Sequence, residues 1–199
     1  MSKSDKELLI TGFEPFGGQL VNPSWEAAAA LPEYVGEYHL TRMEIPVEFT
    51  RAASMVCDTA KELKPDVILC IGQAGGRRGI TPEMVGINLR DASAPDNAGH
   101  CAADEPIVPG GPAAYFATVP VKHMVNAIRE CDIPCFRSCS AGTYVCNDVL
   151  YSLLHHFDGT GTKVGFIHVP FLPEQTDDSV FSLPLDDIVT ALIAAIKAL

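Results

Sequence analysis

The sequence predicts an α/β protein: a three-layer α/β/α architecture around a central twisted, mostly parallel sheet. Short apolar runs alternate with helical stretches along the chain, which is typical of this class. One run, residues 67–72, is continuously apolar, as expected for a parallel strand that is covered on both faces. No internal repeat, low-complexity segment or linker interrupts the pattern, so one domain over residues 1–199 is expected.

Local signals support the elements in chain order. The first strand ends in a Gly- and Pro-rich turn, and the helix after it has Asn22 as its N-cap and Pro23 in its first turn. A helix of mixed charge follows and is stopped at Pro65, while the last helix opens with Asp186 and closes with Lys197, as the macrodipole favours. Strands are predicted at residues 8–12, 40–45, 67–72, 85–89, 134–138 and 163–169, and helices at residues 23–30, 49–63, 121–130, 143–157 and 185–198.

Residues 73–112 differ in composition from the rest of the chain. They are rich in Gly, Pro, Asp and Asn, and they contain only one short strand candidate. A loop region this long within a compact domain is usually functional or itself structured. We therefore expect functional residues in or beside this segment.

The charge balance limits the classes of partner. The formal net charge is -11, and such a surface repels phosphate backbones, so no nucleic acid is expected as a partner. No run of about 18 apolar residues is present, so no membrane span is expected. The apolar residues 8–10 form too short a stretch for a signal-peptide core, which predicts a cytoplasmic protein.

The cysteines indicate reduced thiols rather than a disulfide framework. There are seven, an odd number, and most lie in apolar segments. Cys131, Cys135 and Cys139 are evenly spaced by four, but there is no Cys-x-x-Cys pair and the segment resembles a strand. Small buried hydrophobic residues are favoured here, and no metal site is predicted.

The strongest local feature is the turn that leads into Cys146. Residues 138–147 join a strand to a helix through small residues and place Cys146 in the first turn of that helix. Backbone N–H groups and the helix dipole there favour an anion, which predicts a lowered thiol pKa and a place for an oxyanion. A buried structural cysteine is the alternative.

A reactive thiol needs an acid/base partner, and His168 is the favoured one of six histidines. It ends the apolar run 164–167, at the edge of a parallel sheet where α/β sites assemble, although a satisfied core histidine is the alternative from position alone. His155 and His156 lie near a helix C-terminus, where capping is favoured. His39 and His123 have no chemical neighbour, and His100 lies in the long loop, where its role stays open.

Glu83 follows a glycine-rich turn, residues 72–79, and nothing in the residues alone selects it as functional. The turn itself suggests a phosphate site. It matches neither the dinucleotide fingerprint nor the P-loop pattern, so this signal is weak.

Four sequence blocks, taken together and in order, resemble the pyroglutamyl peptidase I family of cysteine peptidases. The blocks are residues 11–18 with 22–25, residues 72–77 through Glu83 and Asn88, residues 140–147, and residues 165–170. They span nearly the whole chain. The chain is therefore identified as a member of this family of hydrolases, which remove an N-terminal pyroglutamyl residue through a thioester.

The resemblance implies a catalytic triad of Cys146, His168 and Glu83, with no metal and no cofactor. It also implies a central sheet between helices, commonly in a homotetramer. The lactam pocket that it implies is formed by Phe13, Phe16, Gln73, Tyr144 and Val145, with the Gln73 backbone binding the lactam N–H and the family often having phenylalanine at position 144. The implied partners are peptides with N-terminal pyroglutamate.

One departure from the family pattern concerns Ser93. The family typically has an arginine at this position near the active site, so its replacement by serine predicts a slower enzyme that Ser93→Arg would improve. Alternatively, Arg77 or Arg90 supplies the charge from another position, since a long side chain can cover the distance.

Three rival functions remain open. Ser138-x-Ser140-x-Gly142 resembles a degenerate nucleophile elbow, which would make Ser140 the nucleophile of a serine hydrolase. A phosphate- or nucleoside-binding protein of a related three-layer fold would use the turn at residues 72–79 with Arg77 and Arg78. A catalytically weakened member of the peptidase family is the third.

Overall fold

The computed structural model describes residues 6–177 and 179–199, and within these ranges eight strands, five α-helices and one 3₁₀ turn are formed. The strands are β1 (Lys6–Phe13), β2 (Tyr34–Val35), β3 (Tyr38–Ile45), β4 (Val67–Gln73), β5 (Thr81–Pro82), β6 (Val85–Ile87), β7 (Ala114–Phe116) and β8 (Lys163–Val169). The helices are α1 (Pro23–Ala30), α2 (Arg51–Leu63), α3 (Val121–Arg129), α4 (Val145–His156) and α5 (Leu185–Lys197), and the 3₁₀ turn is Pro173–Gln175.

Six strands form the main sheet in the order β2-β3-β1-β4-β8-β5. The inner pairs β3–β1, β1–β4 and β4–β8 are parallel, and the two short edge strands are antiparallel. Because the inner strands are parallel, their carboxyl ends meet at one edge of the sheet. The register there pairs Gly72 of β4 with His168 of β8.

Each face of the sheet is covered by helices over its own apolar cluster. Side chains alternate between the faces along β1, so that Leu8 and Ile10 pack with α1, α3 and α5, while Leu9 and Phe13 pack with α2 and α4. This is the predicted three-layer α/β/α arrangement, and the predicted fold class is confirmed. The cap at α1 also forms as predicted, since Asn22 Oδ1 accepts a hydrogen bond from the Ser24 N–H at 3.1 Å.

The strand predicted at residues 134–138 forms only as two isolated parallel bridges, Ile80↔Cys135 and Glu83↔Ser138. The strand that it meets, β5, is two residues long, and its Pro82 has no N–H to donate to a ladder. The segment is therefore held in extended form without becoming a regular strand. These bridges bring the turn before α4 next to Glu83.

The long segment 73–112 is structured, as its composition suggested. Its turns are fixed by polar side chains: the buried Asp96 accepts the N–H of Phe49 at 2.9 Å, and the half-buried Asn88 accepts the N–H of Val108 at 2.8 Å. Asn147 of α4, which is fully buried, accepts the N–H of Ile87 at 2.9 Å. The helix that carries Cys146 thus also anchors the segment that carries Glu83.

Over the described ranges, none of the helices is both long and apolar enough to cross a membrane.

Candidate active site

Cys146 is the second residue of α4, whose N-cap is Tyr144. The preceding turn needs Gly142, which has a φ of 78° that side-chain-bearing residues rarely adopt. The first intrahelical hydrogen bond is from Asp148 N–H to Tyr144 C=O, so the earlier N–H groups of the turn have no helical acceptor. The predicted place of Cys146 at a helix N-terminus is therefore what the structure has.

The sulfur of Cys146 lies against Gly72, at the carboxyl end of β4. A Cβ atom added at Gly72 would stand 3.1 Å from Cys146 Sγ and 2.7 Å from the ring of Phe166. Only glycine leaves room there for both groups. The strand partner of Gly72 is His168, so the thiol lies beside the pair of strand ends that carries the histidine.

His168 lies at the end of β8 with 3% of its surface exposed. Its ring is 4.8 Å from that of Phe166, two residues earlier on the same face of the strand. Its Nδ1 is 2.7 Å from Glu83 Oε1, which leaves Nε2 as the ring nitrogen available to a thiol or a substrate.

Glu83 is fully buried just after β5 and is fixed at both its backbone and its side chain. Its N–H donates to the Phe166 C=O at 2.9 Å, and its Oε1 accepts from Arg77 at 2.6 Å as well as from His168. Its Oε2 has no hydrogen-bond partner among the described residues. The Ser138 hydroxyl donates a hydrogen bond to the Ser140 C=O at 3.1 Å. It is also close enough to Glu83 to lower the pKa of that carboxyl.

These surroundings set the protonation states. Burial opposes the charge on Glu83, but the His168 hydrogen bond and the Arg77 charge outweigh it, and the pKa of Glu83 is lowered. Burial lowers the pKa of His168, although the Glu83 contact acts in the opposite direction. With Glu83 ionised, Nδ1 of His168 carries the proton and donates to the carboxylate.

The thiol of Cys146 differs from the sequence-based expectation. Although Cys146 keeps some exposed surface, its thiol is surrounded by protein, and burial together with the Glu83 charge raises its pKa to about 12. The Arg77 charge and a backbone N–H lower the pKa, but they do not outweigh burial. The helix N-terminus therefore does not create a thiolate in the resting site, which holds a neutral thiol beside a neutral imidazole.

Four of the five residues predicted to form the lactam pocket belong to the same apolar cluster as Cys146. Phe13 and Val145 are buried members of this cluster, and Phe16, Tyr144 and Cys146 are half-buried and pack against it. The polar member, Gln73, ends β4 and accepts a hydrogen bond from the Gln175 side chain at 3.0 Å.

Arg77 is one of the two arginines that the sequence offered as a source of the charge missing at position 93, and it contacts the site. Besides Glu83, its guanidinium contacts Thr81 Oγ1 at 2.6 Å and the Ser140 C=O at 3.0 Å. It thus joins the carboxylate of the site to the turn that leads into α4. The sequence left two interpretations of Arg77 open, a cation near the active site and a phosphate ligand in a glycine-rich turn, and only the structure shows its contact with Glu83.

Arg90, the other arginine that could supply the charge missing at position 93, is paired with a different carboxylate. Its Nε is 2.6 Å from Oδ1 of Asp148, which is fully buried and also accepts the Thr50 N–H at 2.8 Å. Ser93 itself is exposed. Of the two arginines, Arg77 is the one whose charge acts on the thiol.

The geometry weakens two rival functions. The glycine-rich turn after β4 leads to β5 and not into a helix of its own, and Arg77 is already paired with a carboxylate. Ser140 is exposed, and its hydroxyl oxygen accepts the Gly142 N–H at 3.2 Å. Among the described residues, no histidine is hydrogen-bonded to it, and no group of three or more His, Cys, Asp or Glu is placed to hold a metal ion.

Comparison with known proteins places the chain in one family. The family model described as pyroglutamyl peptidase matches residues 6–199. The pyrrolidone-carboxylate peptidase of Chromobacterium violaceum is 50% identical over 96% of this chain and 91% of that protein, and the one of Bacillus subtilis is 48% identical over 97% and 92%. The crystal structure of pyroglutamyl peptidase I from Bacillus amyloliquefaciens superimposes with a TM-score of 0.94 at 43% identity, covering 97% of this chain and 96% of that one. The structure of pyrrolidone carboxyl peptidase from Thermococcus litoralis superimposes with a TM-score of 0.92 at 36% identity, covering 97% of this chain and 92% of that one. The resemblance found in the sequence is thus confirmed, and the chain belongs to the pyroglutamyl peptidase family.

Proposed function

We propose that this protein is a cysteine peptidase that hydrolyses the amide bond after an N-terminal pyroglutamyl residue. The roles of the catalytic residues are assigned from one observation: the buried Glu83–His168 pair at the end of β8 lies beside a thiol at the N-terminus of α4. The family membership supplies the substrate class, since the matching relatives are named for this activity.

In the proposed mechanism, His168 removes the proton of the Cys146 thiol as the sulfur attacks the pyroglutamyl carbonyl carbon. The N–H groups of the first turn of α4 stabilise the oxyanion that forms. The tetrahedral intermediate collapses to a thioester as the imidazolium gives its proton to the departing amine. Water, deprotonated by His168, then attacks the thioester, and pyroglutamate leaves as the thiol regains its proton.

Glu83 holds His168 in the tautomer with the proton on Nδ1 and stabilises the imidazolium that forms during turnover. Because the resting thiol is neutral, this stabilisation is needed when the proton moves, not before. The steps require no metal or cofactor.

The proposed pocket suits an uncharged lactam. Phe13, Phe16 and Tyr144 offer apolar surface, and the Gln73 backbone offers hydrogen-bonding groups. Proline has no ring carbonyl and would leave buried polar groups unpaired, which is a large penalty.

The proposal is tested by release of a fluorescent amine from a pyroglutamyl amide, with the prolyl and glutamyl amides as controls. Turnover of the first alone supports the assignment. Saturable binding of phosphate or a nucleoside without amide cleavage would support the rival binding function instead.

The protonation states predict a pH profile. His168 must be neutral to act as a base, and its pKa lies below the usual 6.5. We therefore expect kcat/KM to stay high at pH 6.5 and to decrease only when the pH falls below the lowered pKa of His168. Because the proton leaves sulfur during the attack, we expect a normal solvent isotope effect on acylation. A site that rests as a thiolate–imidazolium pair would show an inverse or absent effect.

Arg77 allows a second prediction, which also addresses the Ser93 departure. Its charge lowers the pKa of His168, Glu83 and Cys146, so Arg77→Met should reduce kcat/KM by roughly tenfold or more and move the acid limb of the profile to higher pH. Arg90→Met, which removes an arginine paired away from the thiol, serves as the control and should leave the acid limb in place. Little change on Ser93→Arg would fit a charge already supplied by Arg77, whereas a large gain in turnover would contradict it.

We further propose a cytoplasmic homotetramer. All seven cysteines are free, which fits a reducing compartment. The tetramer rests on the family resemblance, and light scattering of the purified chain across a concentration series tests it.

A further inference from the structure

The side-chain amide of Gln175 joins three segments that are far apart in the chain. Gln175 is the last residue of the 3₁₀ turn that follows β8. Its Nε2 donates to the Val21 C=O at 3.2 Å and to the Gln73 side-chain oxygen at 3.0 Å, and its Oε1 accepts the Leu172 N–H at 2.9 Å. An amide NH₂ group has two hydrogens, so both are used and the orientation of the amide is fixed by three partners.

Two of these partners belong to different walls of the proposed lactam pocket. Gln73 is the polar wall, whose backbone is proposed to bind the lactam N–H. Val21 lies at the end of the turn between β1 and α1 that also carries the apolar wall, Phe16. The Asn22 side chain closes this turn by donating to the Glu14 C=O at 2.9 Å. The amide therefore connects the hydrogen-bonding end of β4 to a closed turn that carries an aromatic ring.

We infer that Gln175 is a positioning residue for recognition of the lactam ring; the inference rests on the proposed function. One NH₂ group holds both the Gln73 side chain and the Val21 C=O, and this sets the distance between the end of β4 and the turn that carries Phe16. Gln175 acts on the lactam through these two residues and takes no part in the chemical step.

The end of β4 is held from two sides, and the amide supplies one of them. On the side of β8, the Ala74 N–H donates to the Val169 C=O at 2.8 Å. On the other side, the one hydrogen bond of the Gln73 side chain among the described residues is the one from Gln175. A hydrogen bond weakens steeply when its angle changes, whereas apolar contact is non-directional. Loss of the amide should therefore weaken the bond to the lactam N–H before the contacts of the ring with its apolar walls.

The catalytic triad is held by other contacts. Glu83 is fixed by the Phe166 C=O and by Arg77, and His168 is fixed by Glu83. A change at Gln175 should therefore affect binding of the lactam more than the chemical step. In steady-state kinetics with a pyroglutamyl amide, Gln175→Leu should raise KM severalfold and change kcat less.

The test measures competitive inhibition by two five-membered rings. The ring of 2-pyrrolidinone has the lactam N–H, and cyclopentanone has a CH₂ group in its place. The wild type should bind 2-pyrrolidinone about tenfold or more tighter, because cyclopentanone leaves a buried acceptor unpaired. Gln175→Leu should reduce this ratio of inhibition constants severalfold. Gln175→Glu keeps an acceptor for the Leu172 N–H but has no donors, so it should reduce the ratio as well, and it serves if the leucine variant does not fold.

A double-variant cycle tests whether Gln175 acts through Gln73. Gln73→Leu removes the side-chain acceptor and leaves the backbone in place, so its addition to Gln175→Leu should lower the ratio little further. Gln19→Leu is the matched control, because it makes the same change in the turn that carries Phe16. The Gln19 side chain makes no hydrogen bond among the described residues, so this variant should keep the wild-type ratio.

Thermal melts identify the folded variants. An unchanged ratio in a folded Gln175 variant, or additive effects in the cycle, would overturn the positioning role. Equal weakening of both rings would also overturn it, by showing that the amide only stabilises the fold. A wild type that cleaves a pyroglutamyl amide but binds both rings equally would overturn the inference and leave the proposed function in place. Failure of the wild type to cleave that amide would overturn the proposed function, and the inference with it.

Discussion

Replacement of Cys146 by alanine is expected to abolish turnover of pyroglutamyl amides, by at least about a thousandfold, while the fold stays intact. The expectation follows from its position, because Cys146 is the cysteine at the start of α4 whose sulfur lies beside the strand ends that carry His168. Loss of a nucleophile removes the covalent route entirely. Steady-state kinetics and a thermal melt of the same preparation check both halves of the statement.

Cys139→Ala is the matched control for this variant. Cys139 lies in the turn that leads into α4, but it is exposed and lies seven residues before the proposed nucleophile. It should retain most of the activity. If both variants lose activity equally, the nucleophile has been assigned to the wrong cysteine.

His168→Ala is expected to cost almost as much as loss of the thiol, and Glu83→Gln less. Without the imidazole, a thiol with a pKa of about 12 has no base to deprotonate it near neutral pH. A glutamine side chain at position 83 can still accept a hydrogen bond from Nδ1, so the tautomer survives while the charge that stabilises the imidazolium is lost. We expect a loss of roughly tenfold to a hundredfold for Glu83→Gln and about a thousandfold or more for His168→Ala.

Labelling of Cys146 by iodoacetamide separates activation of the thiol from the later steps. At neutral pH the labelling rate should fall in both variants, and more in His168→Ala. At high pH the rates should converge on that of the wild type, because hydroxide then ionises the thiol directly. Labelling that is equally fast in all three proteins at pH 7 would show that neither residue activates Cys146.

Much of the fold was predictable because its signals are local. The five helices and the long parallel strands lie where apolar periodicity, Asn22, Pro23 and Pro65 placed them. The strand at residues 134–138 was overpredicted, because its regularity depends on a partner, β5, that proline keeps short. Short strands such as β2 and β7 have too few residues to show a period, so only their tertiary partners reveal them.

The site was predictable to a different extent for each residue. Cys146 and His168 stand at the ends of regular elements, where sequence position implies location in space. Glu83 and Arg77 lie in a long loop. The contact of Glu83 with His168 joins residues far apart in the sequence, and no local sequence pattern predicts such a contact. The direction of the thiol pKa was mispredicted, because the helix N-terminus is visible in sequence and the burial that outweighs it is not.

The Arg77–Glu83 contact has a consequence for the substrates that the site rejects. With a neutral thiol, a neutral imidazole and one carboxylate cancelled by one guanidinium, these four groups sum to zero charge at rest. Opening of the lactam ring turns pyroglutamate into a glutamyl residue with an ammonium and a carboxylate, and neither ion finds a spare counter-ion among the four. Expelling both from water into such surroundings is strongly unfavourable. We therefore expect this electroneutral site to reject an open N-terminal glutamyl residue solely because of the free energy needed to remove its two charged groups from water. The cyclised and open N-termini differ by only one water molecule.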